Sequence, residues 1–133
     1  TSIHALRLLA SGLFDEYPRA QLILGHLGER IPFDLWRVDH RLRKSPQGLP
    51  AKKTMREYFQ QNVHLTTAGN FYDPALHFTM GEVGVDRIMF SVDYPFETTS
   101  DAVDWFDNAE LSDADRLQMG RSNAIKLLKL DLE

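Results

Sequence analysis

Cysteine is absent from the 133 residues. That excludes a disulfide scaffold, a thiolate metal site and a cysteine nucleophile, and it suits a reducing, cytoplasmic setting. A surplus of positive charge is also missing: fifteen Lys and Arg against nineteen Asp and Glu leave a formal net charge of −4 with neutral histidines. A mildly acidic chain offers no electrostatic footprint for a phosphate backbone, so nucleic acid is not an expected partner. No apolar run approaches the roughly 20 residues that span a bilayer. Nor is there the basic, then apolar, then small-residue start of a secretory signal. Membrane association is therefore not expected. The chain has no initiating methionine, and Thr1-Ser2-Ile3-His4 leads straight into an amphipathic pattern; the expectation is a chain that begins partway through a larger fold.

What the sequence does contain is a regular alternation of helix and strand signals. Ile3, Leu6, Leu8, Leu9, Leu13 and Phe14 recur at three- and four-residue spacings, which predicts a helix. It should end at Tyr17, because Pro18 cannot continue it. Residues 21–26 read as a short, mostly apolar strand of the kind buried on both faces of a parallel sheet. Residues 32–44 predict a helix with Phe33, Leu35, Trp36 and Val38 among its apolar members, and 45–53 a loop by its Pro and Gly. A short helix over 55–60 precedes a second strand, 63–67. Asp73 reads as an N-cap with Pro74 at the first helical position, opening a helix to Gly81 or beyond. Residues 87–92 form the third predicted strand. Ser100 is the expected cap of a helix holding Val103, Trp105 and Phe106, and a last helical stretch runs from Asp113 to Leu130 with a break near Gly120.

Strands alternating with helices argue for right-handed βαβ units and a parallel sheet. At about 100–200 residues per domain the chain is one domain, with enough length for a core that needs no disulfide or metal staple. Two architectures suit it, a small open α/β sandwich and the last three strands and helices of a (β/α)8 barrel. A complete barrel takes about 250 residues, and a three-stranded sheet is narrow for a free-standing doubly wound domain. The expected fold is therefore α/β, the C-terminal segment of a (β/α)8 TIM barrel, as one partial domain over residues 1–133.

In open α/β sheets and barrels alike, sites collect at the C-terminal ends of the strands. The first strand ends in Gly25-His26-Leu27-Gly28-Glu29 and the third in Ser91-Val92-Asp93-Tyr94-Pro95-Phe96-Glu97. On the third strand Met89, Ser91 and Asp93 share one face, while Ile88, Phe90 and Val92 share the other. The apolar set suits a layer of helices, and the set with Ser and Asp suits a lumen. His26 is in phase with Leu22 and Leu24, and alternate strands feed the same layer of a barrel, so His26 and Asp93 are expected to face one another across the mouth. An imidazole and a carboxylate suit a divalent metal and proton transfer near neutral pH. The plainer readings are a packed or loop histidine, a turn-forming aspartate, and a Glu29 that only complements a helix start. His64 sits within a strand and either points inward or packs. His40 and His77 fall in helices, and His4 lies near the chain start. Arg37, Arg41 and Lys44 share a helical face, with Arg37 a candidate for holding a carboxylate.

Three runs, Gly25-His26-Leu27-Gly28-Glu29, Trp36-Arg37-Val38-Asp39-His40-Arg41 and the stretch from Val85 to Glu97, resemble the C-terminal part of the metal-dependent, non-oxidative decarboxylases of the amidohydrolase superfamily. The γ-resorcylate and 2,3-dihydroxybenzoate decarboxylases are the members most alike. The likeness extends over essentially the whole chain, to Asn123-Ala124 before Leu127-Leu128; Tyr94 departs from the more usual tryptophan. The resemblance implies a (β/α)8 barrel with one divalent metal ion (Mn, Zn or Mg), a small aromatic carboxylic acid as substrate, and a homo-oligomer. It implies Asp93 as metal ligand and proton donor, His26 as a proton-handling residue beside metal and substrate, and Glu29 as the partner of His26. Arg37 and Phe96 match positions that line or support the substrate pocket.

The implied reaction is loss of CO2 from an ortho-hydroxybenzoate. The family's remaining metal ligands come from a Glu-x-His or His-x-His pair on the first strand and a histidine on the fifth. The sequence contains no such pair, so the chain on its own is not expected to decarboxylate. A metal-dependent hydrolase or lactonase of the same superfamily is one alternative. A non-catalytic α/β module that associates through its sheet edges is another.

Overall fold

A computed structural model describes residues 1–132. Three short strands, β1 (Leu22–Leu24), β2 (Val63–Thr66) and β3 (Ile88–Met89), form a parallel sheet in the order β1-β2-β3. Leu24, Leu65 and Ile88 stand in register across it, as do Ile23 and His64. Between and around the strands lie α1 (Ser2–Ala10), α2 (Leu13–Glu16), α3 (Ile31–Lys44), α4 (Met55–Asn62), α5 (Asp73–Val83), α6 (Thr99–Asn108), α7 (Asp113–Leu117) and α8 (Asn123–Leu128). Parallel strands in sequential order, each joined to the next through helices, are the repeating unit of the (β/α)8 barrel. The chain is a three-strand portion of one.

The two faces of the sheet differ. Leu24, Leu65 and Ile88 are buried and belong to one apolar cluster with Leu9, Phe14, Leu35, Tyr58, Phe59, Leu76, Phe106 and Met119 from the helices. Residues one step out of phase, Ile23, His64 and Met89, lie outside that cluster, and Ile23 is 45 % exposed. The helices therefore cover one face, and the other corresponds to the lumen side of a barrel.

Several boundaries differ from those predicted, each for a local reason. The first predicted helix is two, because Gly12 takes φ +81° and the Ser11 hydroxyl accepts from the Leu13 amide, which ends α1 and restarts the chain as α2. The first strand is three residues rather than six, since the chain turns away at Gly25. Asp73 is the first residue of α5, not its cap. Its carboxylate is drawn sideways, accepting from Trp105 Nε1 at 2.6 Å and from the Glu110 amide at 3.2 Å, and so docks α6 on α5. Thr98, not Ser100, caps α6 by accepting from the Asp101 amide. Thr54 and Glu57 form a reciprocal capping box on α4, and the Asp39 carboxylate of α3 accepts from the Met55 and Arg56 amides of the same turn. The predicted break near Gly120 is a π-helical turn over Gln118–Ser122. The helical stretch ends at Leu128, where Lys129 turns left-handed.

Candidate active site

Two loops at the C-terminal ends of β1 and β3 bring the site together. After Gly25 the backbone enters the left-handed region at His26 (φ +52°), Leu27 (φ +52°) and Glu29 (φ +60°). This costly path is held by burial of Leu27 and Ile31 and by the His26 amide, which donates to the Ala68 carbonyl at 3.1 Å. Strain of this kind persists only where packing over-determines it, and it concentrates at functional positions. Asp93 is likewise left-handed at φ +81°. Its carbonyl accepts from the amides of Phe96 (2.8 Å) and Glu97 (3.2 Å), which tightens the turn after β3.

His26 lies between two carboxylates. Its Nδ1 is 3.0 Å from Glu29 Oε1 and its Nε2 is 3.2 Å from Asp93 Oδ2. A neutral imidazole donates from one nitrogen only, whereas an imidazolium satisfies both carboxylates. The hydrogen bond to Glu29, and then that to Asp93, accordingly raise the His26 pKa above its ordinary value, against a smaller opposing effect of burial. The pair expected from the sequence does meet, but not by strand phase. Leu22 and Leu24 alternate with the lumen-side Ile23, so an unbroken strand would aim His26 at the helices; the left-handed turn re-aims it toward Asp93.

The turn after β2 closes the site from a third side and was not singled out in the sequence. A Cβ added to Gly69, at φ +61°, would stand 3.0 Å from His26 Cδ2 and 3.1 Å from Asp93 Oδ2. The Asn70 side-chain amide reaches the His26 carbonyl at 3.5 Å. The signal available was the small-residue run Ala68-Gly69-Asn70 at the end of a strand, the same rule that found the other two loops. Replacing Gly69 by alanine is expected to separate His26 from Asp93. A crystal structure of the variant with the two side chains still in hydrogen-bond contact and Gly69's backbone unmoved contradicts this.

Arg37 and Phe96 are not drawn to the triad. Arg37 is exposed, and its side chain makes no hydrogen bond or ion pair with a described residue. The Phe96 ring is 85 % exposed, although its amide helps to shape the Asp93 turn. His64 is buried, with Nε2 3.2 Å from Arg87 Nη1 and Nδ1 without a partner among the described residues. Burial, and then Arg87, push its pKa down. It pairs in register with Ile23, away from the mouth, and takes no part in the triad. His40 stacks on Trp36 with 4.8 Å between centroids, and His77 Nε2 lies 2.8 Å from the Glu110 carbonyl.

The opposite shifts give a titration test. His26 will lose its proton above the ordinary imidazole value of about 6.5 and His64 below it. His26, raised in the fold, contributes stability fully present below the unfolded value and lost as pH rises through the folded one. His64, depressed in the fold, contributes stability present above the unfolded value and lost as pH falls through the folded one. Ring-carbon NMR against pH reads both; a reversed order of the two midpoints contradicts the assignment.

The donor set fits one corner of a divalent-metal site. Asp93 Oδ1 accepts no hydrogen bond from a described residue and is available as a ligand, whereas both His26 nitrogens are committed to carboxylates. Among the described residues no group of three or more His, Asp or Glu is placed to hold a metal, and catalytic metal sites generally take about three protein ligands. No helix among the described residues is long and apolar enough to cross a membrane.

A parallel strand–helix unit with a carboxylate–histidine–carboxylate triad at its strand ends defines a class: a segment of a (β/α)-barrel of the kind that carries its chemistry at the mouth. More narrowly, the chain belongs to the amidohydrolase family, whose sequence profile matches residues 1–130. It is 51 % identical over 133 residues to the γ-resorcylate decarboxylase of Rhizobium sp. (strain MTP-10005), covering 98 % of this chain and 41 % of that protein. The crystal structure of 2,6-dihydroxybenzoate decarboxylase complexed with 2,6-dihydroxybenzoate superposes with a TM-score of 0.93 at 50 % identity, over 98 % of this chain and 41 % of that one. The dihydroxybenzoic acid decarboxylase of Polaromonas sp. JS666, with bound manganese and the inhibitor 2-nitroresorcinol, gives 0.93 at 47 % identity, over 99 % and 40 %. The chain thus spans about two-fifths of the length of the curated relatives it matches.

Proposed function

We propose that this chain supplies the proton-handling side of a divalent-metal-dependent, non-oxidative decarboxylase of hydroxybenzoate-type acids. The observation that carries the reading is the relay Glu29–His26–Asp93, with one Asp93 oxygen left over for a metal. The names of the relatives at about half identity, and the manganese and resorcinol-type inhibitor in one of them, support it. Asp93 would hold the metal, which would supply Lewis-acid and template chemistry toward an acidic aromatic substrate.

The remaining steps fall to side chains. Glu29 favours the protonated form of the His26 imidazole. The 3.2 Å contact to Asp93 lets that proton move to the Asp93 carboxylate, which delivers it to the ring carbon bearing the carboxylate group. The carbon–carbon bond then breaks, CO2 leaves, and its bonding electrons restore the aromatic ring. Over the cycle one proton is consumed and one CO2 released. Arg37 and Phe96 belong to the reading as residues lining or supporting the pocket. The same reading takes the protein as a cytoplasmic homo-oligomer. The exposed rings of Phe33, Trp36 and Tyr72 support association, which light scattering of the purified chain checks.

The test is a chimera in which this chain replaces the matching two-fifths of the Rhizobium γ-resorcylate decarboxylase. With Mn²⁺ it should release CO2 from 2,6-dihydroxybenzoate. A folded chimera that instead hydrolyses a lactone, or that releases no CO2, sinks the reading. The 133-residue chain alone should release none, and calorimetric titration with Mn²⁺ or Zn²⁺ should give no tight binding, because it offers one ligand where about three are needed.

A further inference from the structure

Parallel strands pair by a fixed rule: a residue whose amide donates to the neighbouring strand also accepts, at its carbonyl, from the amide two positions further along that neighbour. β2 and β3 follow the rule as far as Thr67, whose amide donates to the Met89 carbonyl at 3.0 Å. The next bond should run from the Ser91 amide to the Thr67 carbonyl. Instead that carbonyl accepts from the Asn70 amide at 2.8 Å and closes the turn containing Gly69. The Ser91 amide donates to Thr67 Oγ1 at 3.0 Å, and the same hydroxyl donates to the Ser91 carbonyl at 2.9 Å. Thr67 is fully buried, so water does not compete for its hydroxyl.

We propose that Thr67 is the positioning residue for Asp93: its hydroxyl replaces the interrupted β-ladder at Ser91, two residues before Asp93, while its carbonyl fixes Gly69 against the His26–Asp93 pair. The catalytic meaning of this arrangement rests on the reading of Asp93 given above; the geometry does not. Between Met89 and Asp93 the amide of Phe90 is held by the Met119 carbonyl at 3.0 Å, and that of Ser91, among the described residues, by Thr67 alone. A hydroxyl, with one donor and two acceptor positions, can serve both the amide and the carbonyl of one residue. Valine has the same shape and can serve neither.

The test compares Thr67→Val and Thr67→Ser in the 133-residue chain by amide hydrogen exchange and by the ring-nitrogen shifts of His26 at one fixed pH. In Thr67→Val, protection of the Ser91 amide should fall about tenfold or more, with Leu65 and Thr67 themselves still protected, and the His26 shifts should move as the Asp93 contact is lost. Thr67→Ser should restore both. Unchanged Ser91 protection in the valine variant, or an equal loss in the serine variant, overturns the proposal. Should valine unfold the chain, exposing Leu65 as well, Thr67→Ala against Thr67→Ser is read the same way, and a uniform loss of protection in the alanine variant overturns it. Because neither signal depends on chemistry, an Asp93→Asn variant of the chimera that retains decarboxylation would remove the reading of Asp93 while leaving this measurement on the 133-residue chain to decide on Thr67.

Discussion

Asp93→Asn in the chimera with the Rhizobium decarboxylase will lower kcat for 2,6-dihydroxybenzoate by about a thousandfold or more. Asparagine keeps the size of the side chain and one acceptor oxygen, so the turn after β3, built on the residue's backbone carbonyl, should survive. What disappears is the negative charge that a metal would bind, and the carboxylate that in the proposed mechanism takes a proton from His26 and passes it on. The neutral amide also withdraws one of the two groups that raise the His26 pKa, so the imidazole protonates at lower pH than before. Glu29→Gln removes the other and should be milder, because it acts through His26 rather than on the reacting carbon. The two effects should not add, since members of one relay fail together. CO2 release followed spectrophotometrically is the readout. A loss under tenfold for Asp93→Asn would place the proton donor elsewhere.

Leu65→Ala will destabilise the chain by about 2–5 kcal/mol, the usual range for emptying a buried leucine site. Leu65 is fully buried at the centre of β2, in register with Leu24 on one side and Ile88 on the other. Its Cδ2 also lies against the Gly25–Glu29 loop, 3.0 Å from where a Cβ on Gly28 would be. The cavity would therefore open under the loop that holds His26 in its left-handed conformation, and the short strands around it have little freedom to close in. Against a typical domain stability of about 5–15 kcal/mol the loss is large, and the thermal midpoint should fall by roughly 10 °C or more. Circular dichroism on heating and in urea measures both. A change under about 1 kcal/mol would mean that the sheet does not form the centre of the core.

Most of the fold was legible because its signals are local. The three strands, the order of helices around them and the interruption near Gly120 follow from apolar spacing and from Gly and Pro. Strand lengths were not legible: residues 90–92 have strand composition, yet the amides of Phe90 and Ser91 donate to the Met119 carbonyl and to a threonine side chain instead of a neighbouring strand's backbone. Two caps were misplaced because Asp73 and Ser100 look alike as local acceptors. Only the distant Trp105 and Glu110 explain why Asp73 faces sideways. The site was legible as strand-end residues, and His26 and Asp93 do meet. The phase argument for that meeting fails, since four consecutive residues with positive φ, His26 to Glu29, intervene. Gly69 and Thr67 escaped notice because their roles, a missing Cβ and a substitute hydrogen bond, exist only against neighbours remote in sequence.

The bond from Trp105 to Asp73 also governs how the molecule reports on itself. Its two tryptophans occupy contrasting surroundings. Trp36 is 61 % exposed and stacked on His40, whereas Trp105 is partly buried between Phe71 and Phe106 with its indole N–H tied to a carboxylate. Trp36, being exposed, is expected to emit as a solvated indole in the folded and unfolded chain alike. Separation of α6 from α5 would therefore appear almost wholly in the emission of Trp105. Intrinsic fluorescence of this chain is a gauge of helix docking at the rear of the sheet, and it is nearly blind to events among His26, Glu29 and Asp93.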